Sequence, residues 1–530
     1  MNRNITVLKR YFNIPVKSGM PLTHVVIRDS GSGKILRYFD VAIGGESHDF
    51  IAYFDMTDHI GKNVAIEMDS ESEFVQSDEP MALEGVYGEP HRPQYHFSSK
   101  RGWLNDPNGL FFYQGKYHMF YQHNPFGTRW GNMHWGHATS PDLLHWKEDG
   151  DVLCPDEMGT MYSGSAVVDW NNSSGLQDGQ HPPIILFYTA AGSLAPEPCE
   201  FTQCIAYSTD GGITFRKYEK NPVLGFTSKN ARDPKVVRDR QNSRWIMSLY
   251  SGSGNSFRLF HSRNLLAWET LGEAVSIPGG AECPDLFPLA INGNPQEEKW
   301  ICIEANGKYI VGSIDEKGFT PENGPFSFFT RWGAGCCYAG QTWSDAPDNR
   351  RIFIGWQQGS CGESVFDESM TVPMELSLKR FADGIRLCAG PVKELDSLRG
   401  KSWSFENINF DNRTPEELLK IPAGNMWDIE LEMDSGSDLC FNICGWNIAL
   451  NAKDREIRMD AAKLTFPACI PKMQARILVD KASIEIFGAD GRICLPKRAV
   501  TIPSCPLVYA NGSGSLKNLK IYEMKSVWTD

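Results

Sequence analysis

The sequence contains 530 residues, 41% hydrophobic and 22% charged, and this length predicts two or three domains rather than one core. A net charge of −13 without a basic patch argues against nucleic-acid binding. No apolar run reaches about 18 residues, which argues against membrane insertion.

Residues 1–88 are predicted to form a small N-terminal β domain followed by a linker. Alternating apolar residues at His24–Arg28, Ile35–Val41 and Phe50–Asp55 are typical of short strands. The chain starts at Met1 without an apolar leader. The compartment therefore stays open: cytoplasmic as the chain stands, periplasmic or secreted if a leader was removed.

Residues 89–392 repeat one pattern five times: a polar motif opens an apolar strand, and a turn and a second aromatic-rich strand follow. Repeated β units of this length predict a five-bladed β-propeller. If each motif opens the innermost strand of its blade, all five converge at one end of the central channel. The motifs are Asn105-Asp106-Pro107-Asn108-Gly109, Tyr162-Ser163-Gly164-Ser165, Arg232-Asp233-Pro234, Glu282-Cys283-Pro284-Asp285 and Tyr338-Ala339-Gly340-Gln341.

Residues 393–530 contain further alternating strands, such as Ala482–Phe487 followed by the Asp490-Gly491 turn and Ile493–Leu495. This hairpin pattern predicts a C-terminal β-sandwich. The predicted fold is therefore all-β: a small N-terminal β domain, a propeller and a sandwich.

Three of the five motifs carry a carboxylate: Asp106, Asp233 and Glu282. Carboxylates that converge in a dry cleft repel one another, so one stays protonated while another is ionised. Glycoside hydrolysis needs such a pair, with a nucleophile on one side of the anomeric carbon and an acid at the leaving oxygen. This chemistry needs no cofactor or metal. His134 and His137 lack a cysteine or carboxylate at ligand spacing, so no metal site is predicted.

The segments Trp103–Gly109, Arg232–Pro234 and Glu282-Cys283 together resemble glycoside hydrolase family 32, which comprises invertases, levanases and inulinases. Phe120–Pro125 and Met370–Leu376 are similar to secondary signatures of that family. The resemblance covers about residue 93 to the C-terminus and implies a five-bladed propeller followed by a sandwich. The N-terminal domain resembles one found on levanase-type enzymes of gut bacteria, which favours fructan over sucrose as substrate. The alternative is a packing module that buttresses the propeller, and the sequence does not decide between the two roles.

The resemblance implies a role for each carboxylate. Asp106 is expected to be the nucleophile, Glu282 the general acid and base, and Asp233, paired with Arg232, the stabiliser of the transition state. Two displacements would then retain the anomeric configuration. The residues implied to line the fructose pocket are Asn105, Gln122, Trp130, Tyr162, Ser163, Arg232 and Trp356.

The leading hypothesis is a retaining hydrolase that releases fructose from levan- or inulin-type fructans, fructo-oligosaccharides or sucrose. One alternative is a fructosyltransferase, in which a sugar replaces water as acceptor. Another is a non-catalytic fructan-binding propeller, although a pure binder has no need of three carboxylates. The sequence does not decide the preferred linkage, endo or exo action, or the oligomeric state.

Overall fold

The computed structural model describes residues 2–81, 85–329, 336–411, 415, 418–459, 461–498 and 508–528. Regular structure in these residues consists of β-strands and short 3₁₀ segments, so the all-β prediction is confirmed. No helix among them has the length and apolarity to cross a membrane. The 3₁₀ segments are Thr57–His59, Gly192–Leu194, Pro347–Asn349, Lys393–Leu398, Leu418–Lys420 and Ala489–Gly491.

The N-terminal region forms two antiparallel sheets around one apolar core. Its strands are β1 (Asn2–Thr6), β2 (Tyr11–Val16), β3 (Leu22–Asp29), β4 (Ile35–Ala42), β5 (Phe50–Asp55), β6 (Asn63–Met68) and β7 (Val75–Ser77). The strand orders are β1-β6-β3-β4 and β5-β2-β7. Buried residues of β2, β4 and β5, among them Phe12, Phe39 and Phe54, meet between the sheets.

The central region contains five sheets that follow one another along the chain, antiparallel apart from one short parallel strand in the first sheet. The first three use β8 (Gly102–Tyr113), β9 (Lys116–Asn124), β10 (His134–Ser140), β11 (Lys147–Leu153), β12 (Thr160–Val168), β13 (Ile184–Ala191), β14 (Thr202–Ser208), β15 (Arg216–Lys217), β16 (Arg232–Asp239), β17 (Arg244–Tyr250), β18 (Ser256–Ser262), β19 (Glu269–Thr270) and β20 (Val275–Ser276). The other two use β21 (Asp285–Ala290), β22 (Glu298–Ile303), β23 (Lys308–Asp315), β24 (Gly318–Ser327), β25 (Cys337–Thr342), β26 (Arg351–Gln357), β28 (Ser369–Met370), β29 (Met374–Phe381) and β30 (Gly384–Pro391), while β27 (Phe366–Asp367) joins the first sheet.

The first strands of the five sheets, β8, β12, β16, β21 and β25, form a ring. Each contacts the next one, and β25 contacts β8. The Phe112 amide donates to the Ser344 carbonyl oxygen, and the Ser344 amide donates to the Leu110 carbonyl oxygen, both at 2.9 Å. These two backbone hydrogen bonds join the last sheet to the first. Because each predicted polar motif lies at the N-terminal end of a first strand or immediately before it, the ring gathers these motifs at one mouth.

The C-terminal region is one strongly folded sheet of ten strands around its own core. Its strands are β31 (Arg399–Asp411), β32 (Trp427–Met433), β33 (Asp438–Ile443), β34 (Trp446–Asn451), β35 (Glu456–Met459), β36 (Ala462–Thr465), β37 (Gln474–Asp480), β38 (Ser483–Gly488), β39 (Ile493–Arg498) and β40 (Val508–Met524). β40 pairs with β33 near its start and with β32 further along, so it connects the two halves of the sheet.

The C-terminal region docks on the propeller through a buried polar cluster. The Asp480 carboxylate accepts bonds from the backbone amides of Gln94 (2.8 Å) and Tyr95 (2.9 Å). His96 lies with Nδ1 2.9 Å from Asp480 and Nε2 3.5 Å from Glu485. All three titratable side chains are fully buried, so this interface depends on their mutual hydrogen bonds.

Candidate active site

The mouth of the ring is shaped by β-bulges in the first strands. The pairing register shifts between Leu104 and Pro107, between Tyr162 and Gly164, between Arg232 and Lys235, and between Tyr338 and Gln341. A bulge leaves ladder positions unpaired and turns a side chain out of its regular direction. Four of the five predicted motifs therefore aim side chains differently from ordinary strand residues.

Three non-glycine residues at the mouth have left-handed backbone conformations: Asp233 (φ 63°), Cys283 (φ 46°) and Ala339 (φ 49°). Each is the second residue of its motif, in three successive sheets. Such conformations carry strain, and proteins retain them where the resulting side-chain direction is needed. The strain thus falls on the motifs that carry Asp233, Glu282 and Tyr338.

Asp106 lies partly buried in the floor of the mouth. Ser163 Oγ donates to its Oδ2 at 2.6 Å and Asn105 Nδ2 to its Oδ1 at 3.1 Å, while Cys283 Sγ lies 3.6 Å from Oδ2. Burial raises the pKa of Asp106; the bonds from Ser163 and Asn105 oppose this, and the charge of Glu282 adds to it. Both carboxylate oxygens are held in place by neutral donors.

Glu282 faces the opening, with its side chain 32% exposed. Arg232 donates to Oε1 through Nη2 (2.5 Å) and Nε (3.2 Å), and the Tyr338 hydroxyl donates to Oε2. Burial and the Glu282 carboxylate raise the pKa of Tyr338, so this phenol stays protonated as a donor. Glu282 is therefore fixed between a cation and a phenol at the edge of solvent.

Asp233 is the most deeply placed of the three acids. Its backbone amide donates to Thr189 Oγ1 at 3.1 Å, and Arg232 Nε lies 3.3 Å from its Oδ2. Burial raises the pKa of Asp233 to about 8; Arg232 pulls the pKa down, but Glu282 and Asp106 push it up. The three acids are thus close enough to alter one another's protonation.

A small cavity lies at the meeting point of the motifs. The structure brings Asp106, Ser163 and Asp233 together on its wall, and Glu282 sits beside it through Cys283. The lining residues are Asp106, Pro107, Ser163, Gly164, Asp233, Lys235, Cys283, Pro284, Ala339 and Gln341. Gly164 is required there, because a Cβ atom would lie 1.9 Å from the Phe187 carbonyl oxygen.

Aromatic residues form two walls above the acids. On one side, the half-exposed ring of Trp130 lies 6.1 Å from Tyr162 at 71°. On the other side, Trp356 lies 6.1 Å from Tyr338 and 6.0 Å from Trp103. Flat apolar rings around hydrogen-bonding groups suit a sugar, which has both apolar faces and hydroxyl edges.

Gln122 is one of the residues predicted to line the fructose pocket. It is buried, and its side-chain amide donates to the Met161 carbonyl oxygen at 2.7 Å. Of the seven predicted pocket residues, Ser163 alone lines the small cavity between the acids, so Gln122 and the other five lie outside that lining. In this arrangement Gln122 ties β9 to β12, the strand that carries Ser163.

Sequence reasoning assigned no role to four residues that the geometry makes prominent: Tyr338, Cys283, Gln341 and Lys235. All belong to, or directly follow, the repeated motifs, so their position in the repeat was the available signal. Lys235 Nζ lies 2.7 Å from Asp285 and donates to the Thr342 carbonyl oxygen at 2.9 Å beneath the cavity. This buried ion pair joins three sheets just below the acids.

Among the residues that the structure describes, no group of three or more histidine, cysteine or acidic side chains is arranged to hold a metal ion. His137 Nε2 lies 3.1 Å from His118 Nδ1, and the His137 ring stacks on Phe120 at 4.2 Å. Burial lowers the pKa of His137 to about 4, so the ring is neutral within an aromatic stack.

Comparison with known proteins gives matches along most of the chain. A model described as the glycosyl hydrolases family 32 N-terminal domain matches residues 96–391, and one described as the family 32 C terminal matches 394–523. A levanase of Bacillus subtilis (strain 168) is 36% identical, over 83% of this chain and 72% of its own length. An extracellular exo-inulinase of Aspergillus niger is 27% identical, over 84% of this chain and 98% of its own length.

The crystal structure of an exo-inulinase from Aspergillus awamori superposes with a TM-score of 0.72 and 25% identity, covering 83% of this chain and all of that one. These likenesses, with the sheet order described above, confirm the predicted architecture of a propeller followed by a sandwich.

Proposed function

The chain belongs to glycosyl hydrolase family 32, and on that premise we propose how its pocket cleaves substrate and which substrate it prefers. It is a β-fructofuranosidase-type hydrolase of the fructan and sucrose class, which confirms the hydrolase predicted from the sequence. The roles of the three acids and the choice among fructans are the proposal.

Asp106 attacks the anomeric carbon of the fructofuranosyl unit while Glu282 donates a proton to the departing oxygen. The glycosidic bond breaks and an ester bond to Asp106 forms. Glu282, now ionised, then removes a proton from water, which attacks the same carbon and releases Asp106. One observation carries this proposal: the two acids lie next to each other with different hydrogen-bond donors. Asp106 accepts from neutral donors, whereas Glu282 accepts from Arg232 and Tyr338.

The environments of the two acids suit these different tasks. Ser163 and Asn105 stabilise the ionised form of Asp106, which a nucleophile needs, without placing a cation against it. Glu282 is partly exposed, so a leaving sugar and an incoming water both reach it. Arg232 stabilises the carboxylate that remains after Glu282 has given up its proton.

Asp233 binds ring hydroxyls of the sugar in this proposal. Its buried carboxyl has few donors, and substrate hydroxyls supply the missing ones. Hydrogen bonds that strengthen as the ring gains positive charge lower the barrier without tightening ground-state binding. Arg232 contacts both Asp233 and Glu282 and thereby fixes the position of one acid relative to the other.

The preferred substrate is a fructan, cleaved from one chain end. Two observations support this choice: similar proteins include a levanase and an exo-inulinase, and the acids lie on the floor of a mouth walled by Trp130 and Trp356. A pocket that closes beneath the acids accepts a terminal unit more readily than the middle of a polymer.

Parallel incubation with levan, inulin and sucrose tests the function. We expect free fructose as the first product from a fructan, with a higher kcat/KM than for sucrose. Oligosaccharides as first products would overturn terminal cleavage. Longer fructosides formed at high sucrose would indicate a transferase, and binding without turnover a non-catalytic propeller.

Cleavage in the presence of methanol tests the two-step mechanism. If Asp106 forms an ester, methanol intercepts it on the original face, and the expected product is methyl β-fructofuranoside. A methyl α-fructofuranoside would show a single displacement and would overturn the nucleophile assignment. Glu282→Gln should slow cleavage strongly while leaving substrate binding measurable.

A further inference from the structure

The loop between β9 and β10, residues 125–133, carries Trp130 on one wall of the pocket. The Trp130 side chain is half exposed, and its ring contacts the Tyr162 ring edge-on at 6.1 Å. Burial raises the pKa of Tyr162 to about 12; the Arg232 charge opposes this rise, and the charges of Asp233, Glu282 and Asp106 add to it, so the Tyr162 ring lies close to the catalytic carboxyls. The position of this loop therefore sets the width of the mouth.

The start of the loop is inserted into the N-terminal domain. Phe126 is 1% exposed and belongs to that domain's apolar core, although it lies in the propeller sequence. Its ring stacks on Phe39 at 3.8 Å with an interplanar angle of 6°, and meets Phe54 edge-on at 5.9 Å. Burial of a whole phenylalanine ring anchors this end of the loop.

The end of the loop is tied to the same domain by hydrogen bonds. Asn132 Oδ1 accepts from the backbone amide of Asp40 at 2.8 Å, and Asn132 Nδ2 donates to the Asp40 carbonyl oxygen at 2.7 Å. This reciprocal pair imitates a strand contact with β4. Asn132 has a left-handed conformation (φ 48°), which asparagine tolerates better than most residues.

Asn124 closes the loop from inside. Its Nδ2 donates to the Arg129 carbonyl oxygen at 2.8 Å, and its Oδ1 accepts from the Phe126 amide at 3.0 Å and from Asn132 Nδ2 at 3.0 Å. Trp130 thus lies two residues from one anchor and four from the other. An isolated propeller would lose both external anchors.

We propose that the N-terminal domain is a specificity module: Phe39 and Asp40 are positioning residues that hold Trp130 at the rim for the sugar unit bound there. This inference rests on the proposed function, since Trp130 must face substrate. A wall that is already ordered costs less conformational entropy on binding, so the clamp tightens substrate binding without touching the reacting atoms.

Asn132→Gly tests the clamp, because glycine keeps the backbone conformation and removes only the side-chain bonds. We expect KM for the preferred fructan to rise about 2- to 12-fold, the effect of freeing one side chain, with kcat unchanged. Phe39→Leu, made from the side of the N-terminal domain, should act in the same direction. In a Trp130→Ala background, Asn132→Gly should have no further effect on KM.

Lys34→Met is the matched control, because Lys34 also bridges the two domains, to Glu157 at 3.0 Å, without touching the loop. It should leave KM unchanged. An equal rise of KM in this control, or a rise that persists in the Trp130→Ala background, would mean that the domain acts through general stability and would overturn the inference.

Hydrogen exchange separates this inference from the function itself. Amides of residues 126–133 should exchange faster in Asn132→Gly and Phe39→Leu than in the wild type or Lys34→Met, with no substrate present. Unchanged exchange would refute the clamp even in an active enzyme. A wild type that cleaves no fructoside would refute the proposed function while the exchange result still decides the clamp.

Discussion

Two acidic clusters in this protein have opposite electrostatics. At the mouth of the propeller, Asp106 and Asp233 both have raised pKa values. At the contact between propeller and sandwich, Asp480 is completely buried, but its pKa is lowered. Burial acts on all three in the same direction, so the difference lies in their partners.

At the interface, burial raises the pKa of Asp480, but bonds from His96 and from the Gln94 and Tyr95 amides outweigh it. In the pocket, the donors to Asp106 are fewer and neutral, and the acids repel one another. The donors and the protonated histidine around Asp480 stabilise the fold, whereas the pocket acids, with fewer donors, keep hydrogen-bonding capacity for a ligand at a cost in stability.

Asp106→Asn gives the largest expected effect and acts on activity alone. The amide cannot form the ester, so kcat should fall by more than about 10⁴-fold, the scale on which loss of a nucleophile acts in other hydrolases. Fructose release at saturating fructan measures it. The apparent melting temperature should stay level or rise, because one of three mutually repelling acids becomes neutral.

A loss of kcat under tenfold in Asp106→Asn would remove Asp106 from the chemistry. A fall in melting temperature as large as that of the interface variant described next would erase the distinction between the two clusters.

Asp480→Asn should show the reverse pattern. The substitution leaves His96 without its closest carboxylate and weakens the hydrogen bonds from three donors at once. Breaking a buried ion pair costs about 3–5 kcal/mol. Thermal unfolding should shift clearly downward, while kcat of the folded protein at room temperature stays near the wild-type value. The exposed Asp434→Asn is the control and should shift unfolding little.

The pH dependence of stability sharpens the contrast. Despite burial, Asp480 and Glu485 raise the pKa of His96 to about 9, above the unfolded value of about 6.5. Protonated His96 therefore contributes stability that is complete below pH about 6.5 and is lost as pH rises through about 9. His96→Gln should be less stable than wild type at pH 6 and equal to it near pH 10.

Melting temperatures of wild type and His96→Gln across this range measure the difference. Two curves that remain parallel at every pH would show that His96 is not charged in the folded state. The facing carboxyl of Asp480 has a lowered pKa and stays ionised throughout the range, so its titration does not produce the expected convergence.

Much of the pocket could be predicted from the sequence because the propeller repeats. Once a polar motif opens each first strand, symmetry alone brings Asp106, Asp233 and Glu282 to one mouth, although they are far apart in the chain. Tyr338 opened a motif too, but an aromatic residue in a strand is as typical of packing as of donation to a carboxylate.

The interface cluster and the loop clamp could not be predicted in this way. His96 and Asp480 are 384 positions apart in regions that no repeat relates. Phe126 sits in a loop whose burial depends on how another domain docks. In both cases the decisive contact is between domains, where neither periodicity nor motif spacing carries information.

A substitution at Glu368 gives the smallest expected effect. In its properties, Glu368 is intermediate between the two kinds of cluster. Its Oε2 accepts from Trp356 Nε1 at 3.2 Å and from the Gly359 amide at 2.6 Å, so it fixes the second aromatic wall. Burial raises the pKa of Glu368 to about 7, with Arg498 opposing and Asp367 adding to the shift. The carboxylate accepts more strongly than the neutral acid, so the wall is firmer above pH 7.

Glu368→Gln should raise KM for fructan by about 2- to 12-fold, as expected for freeing one side chain, and leave kcat nearly unchanged. Wild-type KM should fall as pH rises through about 7, and this inflection should vanish in Glu368→Gln. Asp367→Asn is the control, because Asp367 bonds to the Cys361 and Glu368 amides and not to Trp356. The inflection should survive in that control at a lower pH, because the Asp367 charge no longer raises the pKa of Glu368. Survival of the inflection in Glu368→Gln would assign it to the catalytic acids rather than to the wall.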